Sequence, residues 1–164
     1  MASGQPPIPD ERLREAGEDL GSVLVFMKRL WALDQALQSA SKRMQARLGI
    51  TVPQRVAVRI VGRFPGVTAS ALADILHMHP STLSGLLRRL EDSGVLKRRT
   101  DPKDARCALY GLTPLGQKVD ALRAGTVESA VRRVLAEMPA DAAAAERVFS
   151  ALTSELEKSP DDVE

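Results

Sequence analysis

The sequence predicts a mainly α-helical fold with one small β-hairpin, in which a compact central unit lies between long N- and C-terminal helices. Three observations support this prediction. Apolar residues recur at spacings of three and four near both ends of the chain, as in amphipathic helices. Two short helical patterns in the middle are separated only by a tight turn, and an alternating stretch with a charged tip follows them. Aromatic residues make up only 3% of the chain, so the core is expected to consist of Leu, Val and Ala.

Composition excludes several classes of protein. The chain has 164 residues, 44% of them apolar and 27% charged, which is typical of a globular domain with helical extensions. No apolar run approaches the roughly 20 residues that span a bilayer, and the start has no secretory signal pattern, so we expect no membrane contact and a cytoplasmic location. The single cysteine, Cys107, allows no internal disulfide and no cysteine-based zinc cage.

The two ends of the chain predict long amphipathic helices. The first spans about residues 19–48, the second residues 113–138, where Pro139 ends it, and the last residues 141–158. Together they carry more apolar surface than the short central unit can cover, so we predict that they form a homodimer. Packing of these helices on their own chain's core is the alternative. The predicted dimerisation residues are Leu20, Leu24, Leu122, Val148, Phe149, Leu152 and Leu156.

The central unit begins with a capping-box pattern, Thr51-Val-Pro-Gln54, which opens a helix that Pro65-Gly66 ends. Thr68 is placed to cap a short helix, ASALADIL. A second helix, PSTLSGLLRRLEDSG, follows after three residues, HMH, and Gly94 lies at its C-terminal end. Two short helices joined by a tight turn form a helix-turn-helix.

The second of these helices has two contrasting faces. One is an apolar stripe, and its members are Leu83, Leu86, Leu87 and Leu90. The other is polar with mostly small side chains, and its members are Ser81, Thr82, Ser84, Gly85, Arg88 and Arg89. Ser, Thr and Arg contact phosphates and base edges, and Gly85 would allow close approach of DNA to the helix backbone. A simply solvated face is the alternative.

A basic β-hairpin follows the helix-turn-helix. VLKRR predicts one strand, TDPKDA a polar turn, and RCALYGL the returning strand. A helix-turn-helix followed by a basic hairpin is a winged helix, in which the hairpin is the wing. Lys97, Arg98, Arg99, Lys103 and Arg106 are expected to lie along the phosphate backbone, and an arginine of a wing can enter a narrow minor groove.

Residues 51–116 resemble the MarR family of winged-helix transcription regulators. The matching stretches are LADIL (72–76), STLSGLLRRLEDSGVLKRR (81–99), DPKDAR (101–106) and LTPLG (112–116), and the last two resemble the wing signature of the family. The resemblance implies a homodimer with its recognition helices in successive major grooves. It further implies that Arg106 enters the minor groove and that Asp104 orients its guanidinium. The sequence departs from the family at Gly85, where members often carry a larger polar residue, and at Ala105, where many carry a second arginine.

We therefore predict a ligand-responsive repressor that binds an inverted repeat of double-stranded DNA. The resemblance suggests a small aromatic or phenolic acid as effector, bound between the helical dimer domain and the winged helix, with Trp31 and His77 as candidate contacts. The alternative is a winged-helix module that contacts protein rather than DNA. The predicted DNA-binding residues are His79, Ser81, Thr82, Ser84, Gly85, Arg88, Arg89, Arg98, Lys103, Asp104 and Arg106.

Residues for catalysis or metal binding are weakly represented. The sequence has no glycine-rich phosphate loop and no Ser-His-Asp set in a plausible context, so we predict neither an enzyme nor a cofactor. His77 and His79 do not share a helix face and have no neighbouring cysteine or carboxylate to complete a metal site. A redox role of Cys107 would lack a second cysteine as partner.

These predictions divide the chain into five segments. They are a disordered N-terminus (1–9), an N-terminal dimerisation helix (10–50), a winged helix-turn-helix DNA-binding domain (51–112), C-terminal dimerisation helices (113–158) and an acidic tail (159–164).

Overall fold

The computed structural model describes residues 21–158, so Leu20, the predicted disordered N-terminus and the acidic tail lie outside the described residues. The seven helices and three strands are α1 (Gly21–Leu48), α2 (Val52–Arg63), β1 (Val67–Thr68), α3 (Ala69–Leu76), α4 (Pro80–Asp92), β2 (Leu96–Thr100), β3 (Ala108–Leu112), α5 (Pro114–Ala121), α6 (Val127–Glu137) and α7 (Pro139–Leu156). The chain divides into two compact units between Arg43 and Met44. None of the described helices is both long and apolar enough to cross a membrane.

The described part of the first unit is a single stretch of α1. It exposes large apolar side chains along its length, among them Leu24, Leu33 and Trp31, the last of which is 67% exposed. The helix predicted for residues 19–48 is therefore confirmed from Gly21 onward. The last turns of α1 belong to the second unit, where Met44 is buried.

Side-chain caps begin α2 and α3 at the predicted residues. The Thr51 hydroxyl accepts the amide of Gln54, and the Gln54 side chain accepts the amide of Thr51 at 3.0 Å, which confirms the capping box. The Thr68 hydroxyl accepts the amide of Ala71 at 3.2 Å and so caps α3. Both caps satisfy amides that a helix start otherwise leaves unpaired.

The turn between α3 and α4 depends on two histidines. His77 adopts a left-handed conformation, φ 48°, at the C-terminal cap of α3. His79 caps α4, because its Nδ1 accepts the amide of Ser81 at 3.4 Å. The predicted helix-turn-helix is thereby confirmed, with Pro80 in the first turn of α4.

The sheet has three antiparallel strands in the order β1-β3-β2. The predicted hairpin of β2 and β3 is confirmed, and in it Arg98 lies opposite Tyr110. The strand β1, which pairs Val67 with Tyr110, was not predicted because it is too short to show alternation. The returning strand also starts later than predicted, at Ala108, so Arg106 belongs to the turn.

The core of the second unit lies between α4, α2 and the sheet. The predicted stripe of Leu83, Leu86, Leu87 and Leu90 is fully buried, which confirms the two-faced reading of α4. It packs with buried residues from the other elements, which are Ala57, Val58, Val61, Leu72, Val95, Leu96 and Tyr110. This packing holds the opposite face of α4 outward.

The helix predicted over residues 113–138 is wrong, because the structure divides it into α5 and α6. The guanidinium of Arg55 accounts for the break, since it donates to the carbonyls of Val119, Asp120 and Leu122 at the end of α5. In a continuous helix these carbonyls would accept amides four residues further on, whereas here the Val119 carbonyl accepts the amide of Leu122, three residues on, at 3.2 Å. Gly125, at φ +74°, then turns the chain into α6.

Candidate nucleic-acid interface

The outer face of α4 is exposed and carries mostly small side chains. Each of its six predicted residues is exposed: Ser81, Thr82, Ser84, Gly85, Arg88 and Arg89. A side-chain carbon placed on Gly85 would meet nothing nearer than the Arg89 guanidinium at 3.9 Å. The space for a side chain at Gly85 is therefore open, and the Arg89 side chain is the nearest group beside it.

The two arginines of α4 differ in how firmly contacts with the protein hold their side chains. Arg89 Nε donates to the carbonyl of Gly85 at 3.1 Å, so this side chain folds back along the helix. The side chain of Arg88 is 85% exposed, and its one ion pair within residues 21–158 is a long one, 4.0 Å, to Asp92. Arg88 is thus the side chain of α4 that can reach a partner at little cost.

The start of α4 combines a histidine cap with a positive helix end. His79 Nδ1 lies 2.8 Å from the hydroxyl of Ser81, so the imidazole and the first turn of the helix form one polar corner. An N-terminal helix end attracts anions through its free amides and dipole. His77 is exposed nearby, and its backbone forms the C-terminal cap of the preceding helix α3.

The wing carries its positive charge on one strand and on the tip. Lys97, Arg98 and Arg99 are exposed on β2, and Lys103 and Arg106 are exposed in the turn. Side chains alternate along a strand, so Lys97 and Arg99 share one side of the sheet while Arg98 lies on the other. Consistent with this alternation, Lys97 lies over Gly111 and Arg99 over Gly66.

Asp104 has a different role from the predicted one. Its carboxylate accepts the backbone amide of Arg106 at 2.9 Å, and no ion pair joins it to the Arg106 guanidinium in residues 21–158. The prediction placed Arg106 at the start of the returning strand, whereas both residues lie in the turn. Asp101 accepts the amide of Lys103 in the same way, at 2.9 Å. Two aspartates thus hold the backbone of the wing tip, and the guanidinium of Arg106 is left free.

Cys107 lies at the base of the wing tip. Its thiol donates to the other carboxylate oxygen of Asp104 at 3.4 Å. This hydrogen bond, together with the negative charge of Asp104, raises the pKa of the Cys107 thiol. The thiol is therefore less readily ionised than a free cysteine, which disfavours nucleophilic reaction.

Two grooves are lined by residues outside α4. One, of about 990 Å³, is lined mainly by α7, including Phe149, with His77 at its edge. The other, of about 580 Å³, is apolar and runs between Val52 and Val56 of α2 and the valines of α6, with Arg132 among its lining residues. The sequence analysis missed the second groove, although Val52 and Val56 share one helix face and Val127 and Val131 share another.

The predicted dimerisation residues fall into two groups. Leu24, Val148, Phe149 and Leu156 expose large parts of their side chains, whereas Leu122 and Leu152 are half-buried. Neither α6 nor α7 contains a buried residue. Such extended apolar exposure is characteristic of a surface that another protein surface covers.

Comparison with known proteins finds a family match in the part of the chain that contains α4 and the wing. The model of the MarR family matches residues 50–108, which include α4 and most of the wing. An HTH-type transcriptional repressor of Mycobacterium tuberculosis is 31% identical over 93 residues, covering 57% of this chain and 67% of the relative. The transcriptional regulator HosA of Escherichia coli is 32% identical over 93 residues, covering 56% and 69%.

The fold agrees with solved structures as well. The protein chain in the crystal structure of an S. aureus MepR–DNA complex has a TM-score of 0.62 and is 22% identical, with 80% of this chain and 94% of that chain covered. This likeness shows the same winged-helix fold. The match of sequence over the winged helix, the identity to the two regulators and the shared fold agree, and the chain belongs to the MarR family of transcription regulators.

Proposed function

We propose that the protein is a homodimeric, sequence-specific DNA-binding repressor that a small-molecule effector releases from its operator. The observation that carries the proposal is the outer face of α4. This face is exposed, carries mostly small side chains, and is followed directly in the chain by a basic wing. A helix of this kind fits the major groove, which admits an α-helix and presents a distinct pattern for each base pair.

In the proposed complex, side chains of α4 and of the wing contact different parts of the DNA. His79 and the start of α4 contact phosphate, and Ser81, Thr82 and Ser84 contact phosphates or base edges. Arg88, being free, reads a base edge from the middle of the helix. Arg106 extends from the held wing tip toward the minor groove, where the negative potential attracts arginine.

The exposed stripes of α6 and α7 support the dimer. Val131, Val134, Val148 and Phe149 each remain close to half exposed in the single chain. A two-fold dimer through such surfaces presents two copies of α4 to one face of DNA. The operator is then an inverted repeat with half-sites about 34–36 Å apart, one turn of the double helix.

The effector site that best fits an aromatic or phenolic acid is the groove between α2 and α6, which is not lined by Trp31 or His77, the contacts predicted from the sequence. Its valines accept a ring, and Arg132 at the same groove can pair with a carboxylate or phenolate. Release from DNA requires that the effector prefers one arrangement of the helices over the DNA-binding one. The repressor assignment is supported by the similarity to the Mycobacterium tuberculosis relative, a transcriptional repressor.

DNA binding is tested by selecting a binding site from random duplex DNA with the purified protein, then comparing wild type with Arg88→Ala. If Arg88 reads a base, the variant loses about 1–3 kcal/mol on the selected site and relaxes preference at one position. Arg133→Ala on exposed α6 is the control with the same loss of charge, and we expect it to leave affinity unchanged. If wild type shows no salt-dependent binding to any duplex, the winged helix contacts protein instead.

The effector site is tested by thermal-shift measurements with a panel of aromatic and phenolic acids. We expect at least one acid to raise the melting temperature of wild type and to weaken DNA binding, since a ligand that binds the folded state stabilises it. Arg132→Ala should abolish the shift while Arg133→Ala, one residue away and outside the groove, should retain it. Equal shifts in both variants would place the effector elsewhere.

A further inference from the structure

Arg55 is a buried charged residue that the DNA-binding surface does not use. It belongs to α2 and is 1% exposed. Its Nε donates to Glu128 Oε1 at 2.8 Å, and its two terminal nitrogens donate to the carbonyls of Val119, Asp120 and Leu122. A buried guanidinium is tolerated only when its charge and its donors are satisfied, and here they are.

The partners of Arg55 lie on both sides of a break in the chain. The three carbonyls belong to the end of α5 and the residue after it, and Glu128 belongs to the first turn of α6. One guanidinium therefore joins the end of one helix to the start of the next. The neighbouring pair of Arg59 and Asp120, at 2.8 Å, involves only the α5 side. Among residues 21–158, Arg55–Glu128 is the one ion pair that links α2 to α6.

Within a single chain, before any dimer partner covers it, little else among residues 21–158 holds α6 in place. None of its residues is buried, and every residue from 130 to 141 is exposed. At the start of the helix, by contrast, Thr126 is buried, and Val127, Glu128 and Ser129 are partly buried. The direction in which α6 leaves the winged helix is thus decided within its first turn. Arg55 is the residue that contacts both that turn and the end of α5.

We propose that Arg55 is a positioning residue that sets the direction of α6 relative to α4 and, through α6, the spacing of the two DNA-binding units. The step from helix direction to spacing rests on the proposed dimeric, DNA-binding function. Arg55 touches no DNA in this proposal. It acts by holding the break between α5 and α6 at one angle.

Pulsed electron spin resonance tests the angle without any DNA. Spin labels are placed on Ser84→Cys of α4 and Glu137→Cys of α6 in a Cys107→Ala background, and labelled protein is mixed with excess unlabelled protein so that distances within one chain dominate. We expect one narrow distance distribution for the parent. Arg55→Met and Glu128→Gln should each shift and broaden it.

A matched control is available one turn away. Arg59→Met removes an arginine and its ion pair on the same helix without crossing the break, so the parent distribution should be retained. Arg55→Lys keeps the charge and loses the planar fork, and it should restore the distribution only in part. If Arg55→Met does not fold, Glu128→Gln decides, because the Glu128 side chain is 31% exposed and tolerates the change.

The consequence for DNA is measured on the selected operator with one base pair added to or removed from its centre. Wild type should bind the parent spacing at least about tenfold more tightly, and Glu128→Gln should lose most of that discrimination while keeping its dependence on base sequence. The role of Arg55 would be overturned if Arg55→Met and Glu128→Gln fold and keep the parent distance distribution. It would also be overturned if Arg59→Met broadens the distribution as much as they do. A wild type that binds no DNA would overturn the proposed function instead, and the spin-label result would still decide the angle.

Discussion

Gly116 lies against the backbone carbonyl of Val95, so closely that a side-chain carbon at position 116 would overlap the carbonyl oxygen. Thr113 holds this contact from the other side. Its hydroxyl donates to the carbonyls of Gly94 and Val95, at 2.6 and 3.2 Å, and accepts the amide of Gly116 at 3.0 Å. The LTPLG motif thus joins the start of α5 to the chain entering the wing.

Gly116→Ala should destabilise the protein although alanine favours helix formation. The backbone of Val95 cannot rotate away as a flexible side chain could, so we expect a loss of about 1–3 kcal/mol, as for other overpacked sites. Denaturant unfolding followed by circular dichroism measures it. A variant as stable as wild type would show that α5 and β2 separate easily.

Gly85→Ala should have the opposite effect on stability. The space around Gly85 is open, so alanine should raise the free energy of unfolding by about 0.5–1 kcal/mol, since glycine is unfavourable inside a helix. If DNA approaches the backbone at this position, the same variant should bind the selected operator more weakly. A more stable protein with undiminished affinity would remove Gly85 from the interface.

Arg106→Ala tests the wing. The side chain is exposed and the turn is held through the Asp104 carboxylate and the backbone of residue 106, so folding should be unaffected. Operator affinity should fall, and the slope of log affinity against log salt should decrease by roughly one to two units per dimer. Arg133→Ala serves as the control of equal charge. An unchanged slope in Arg106→Ala would exclude the wing tip as a DNA contact.

Phe149→Glu tests the dimer surface. Phe149 is 45% exposed in the single chain, beside Val148 and Leu152 on one face of α7. A charge buried in an apolar interface without a partner is costly, so light scattering should show monomer or aggregate. Ala151→Glu, off that face of α7, should remain dimeric. The assignment of α7 to the interface fails if both variants scatter as the wild-type dimer.

Cys107 should react slowly with alkylating reagents at mildly alkaline pH. Its pKa is raised, so at a pH below the pKa the reactive thiolate is scarcer than in a free cysteine. Asp104→Asn removes the negative charge and one of the two acceptor oxygens, so it weakens the interactions that favour the protonated thiol and should move the pH profile of the alkylation rate to lower pH. Asp101→Asn, whose charge is the weaker influence, should move it less. A profile that does not move in Asp104→Asn would show that the hydrogen bond does not persist in solution.

Local signals in the sequence were sufficient for most of the winged helix. These signals involve residues within about four positions of each other, so the sequence displays them directly. They are the caps at Thr51 and Thr68, the stripe of α4 and the turn at the wing tip. The candidate DNA surface followed from them, because burying one face of α4 leaves the other outward. The two-residue strand β1 was missed because its only evidence is its partner.

The tertiary structure alone decided where the C-terminal helix breaks and which groups hold the break. The apolar spacing of residues 113–138 predicts one continuous helix, and the carbonyls that end α5 are taken by Arg55, whose partners lie 64 to 73 positions away. The partner of Asp104 was likewise not predictable from the sequence. Its carboxylate accepts the backbone amide of Arg106 rather than the guanidinium because β3 begins only at Ala108, which leaves both residues in the turn. Helix periodicity and capping act between near neighbours in the chain, whereas the burial of a charge and the contact of Gly116 with Val95 exist only after distant segments have packed together.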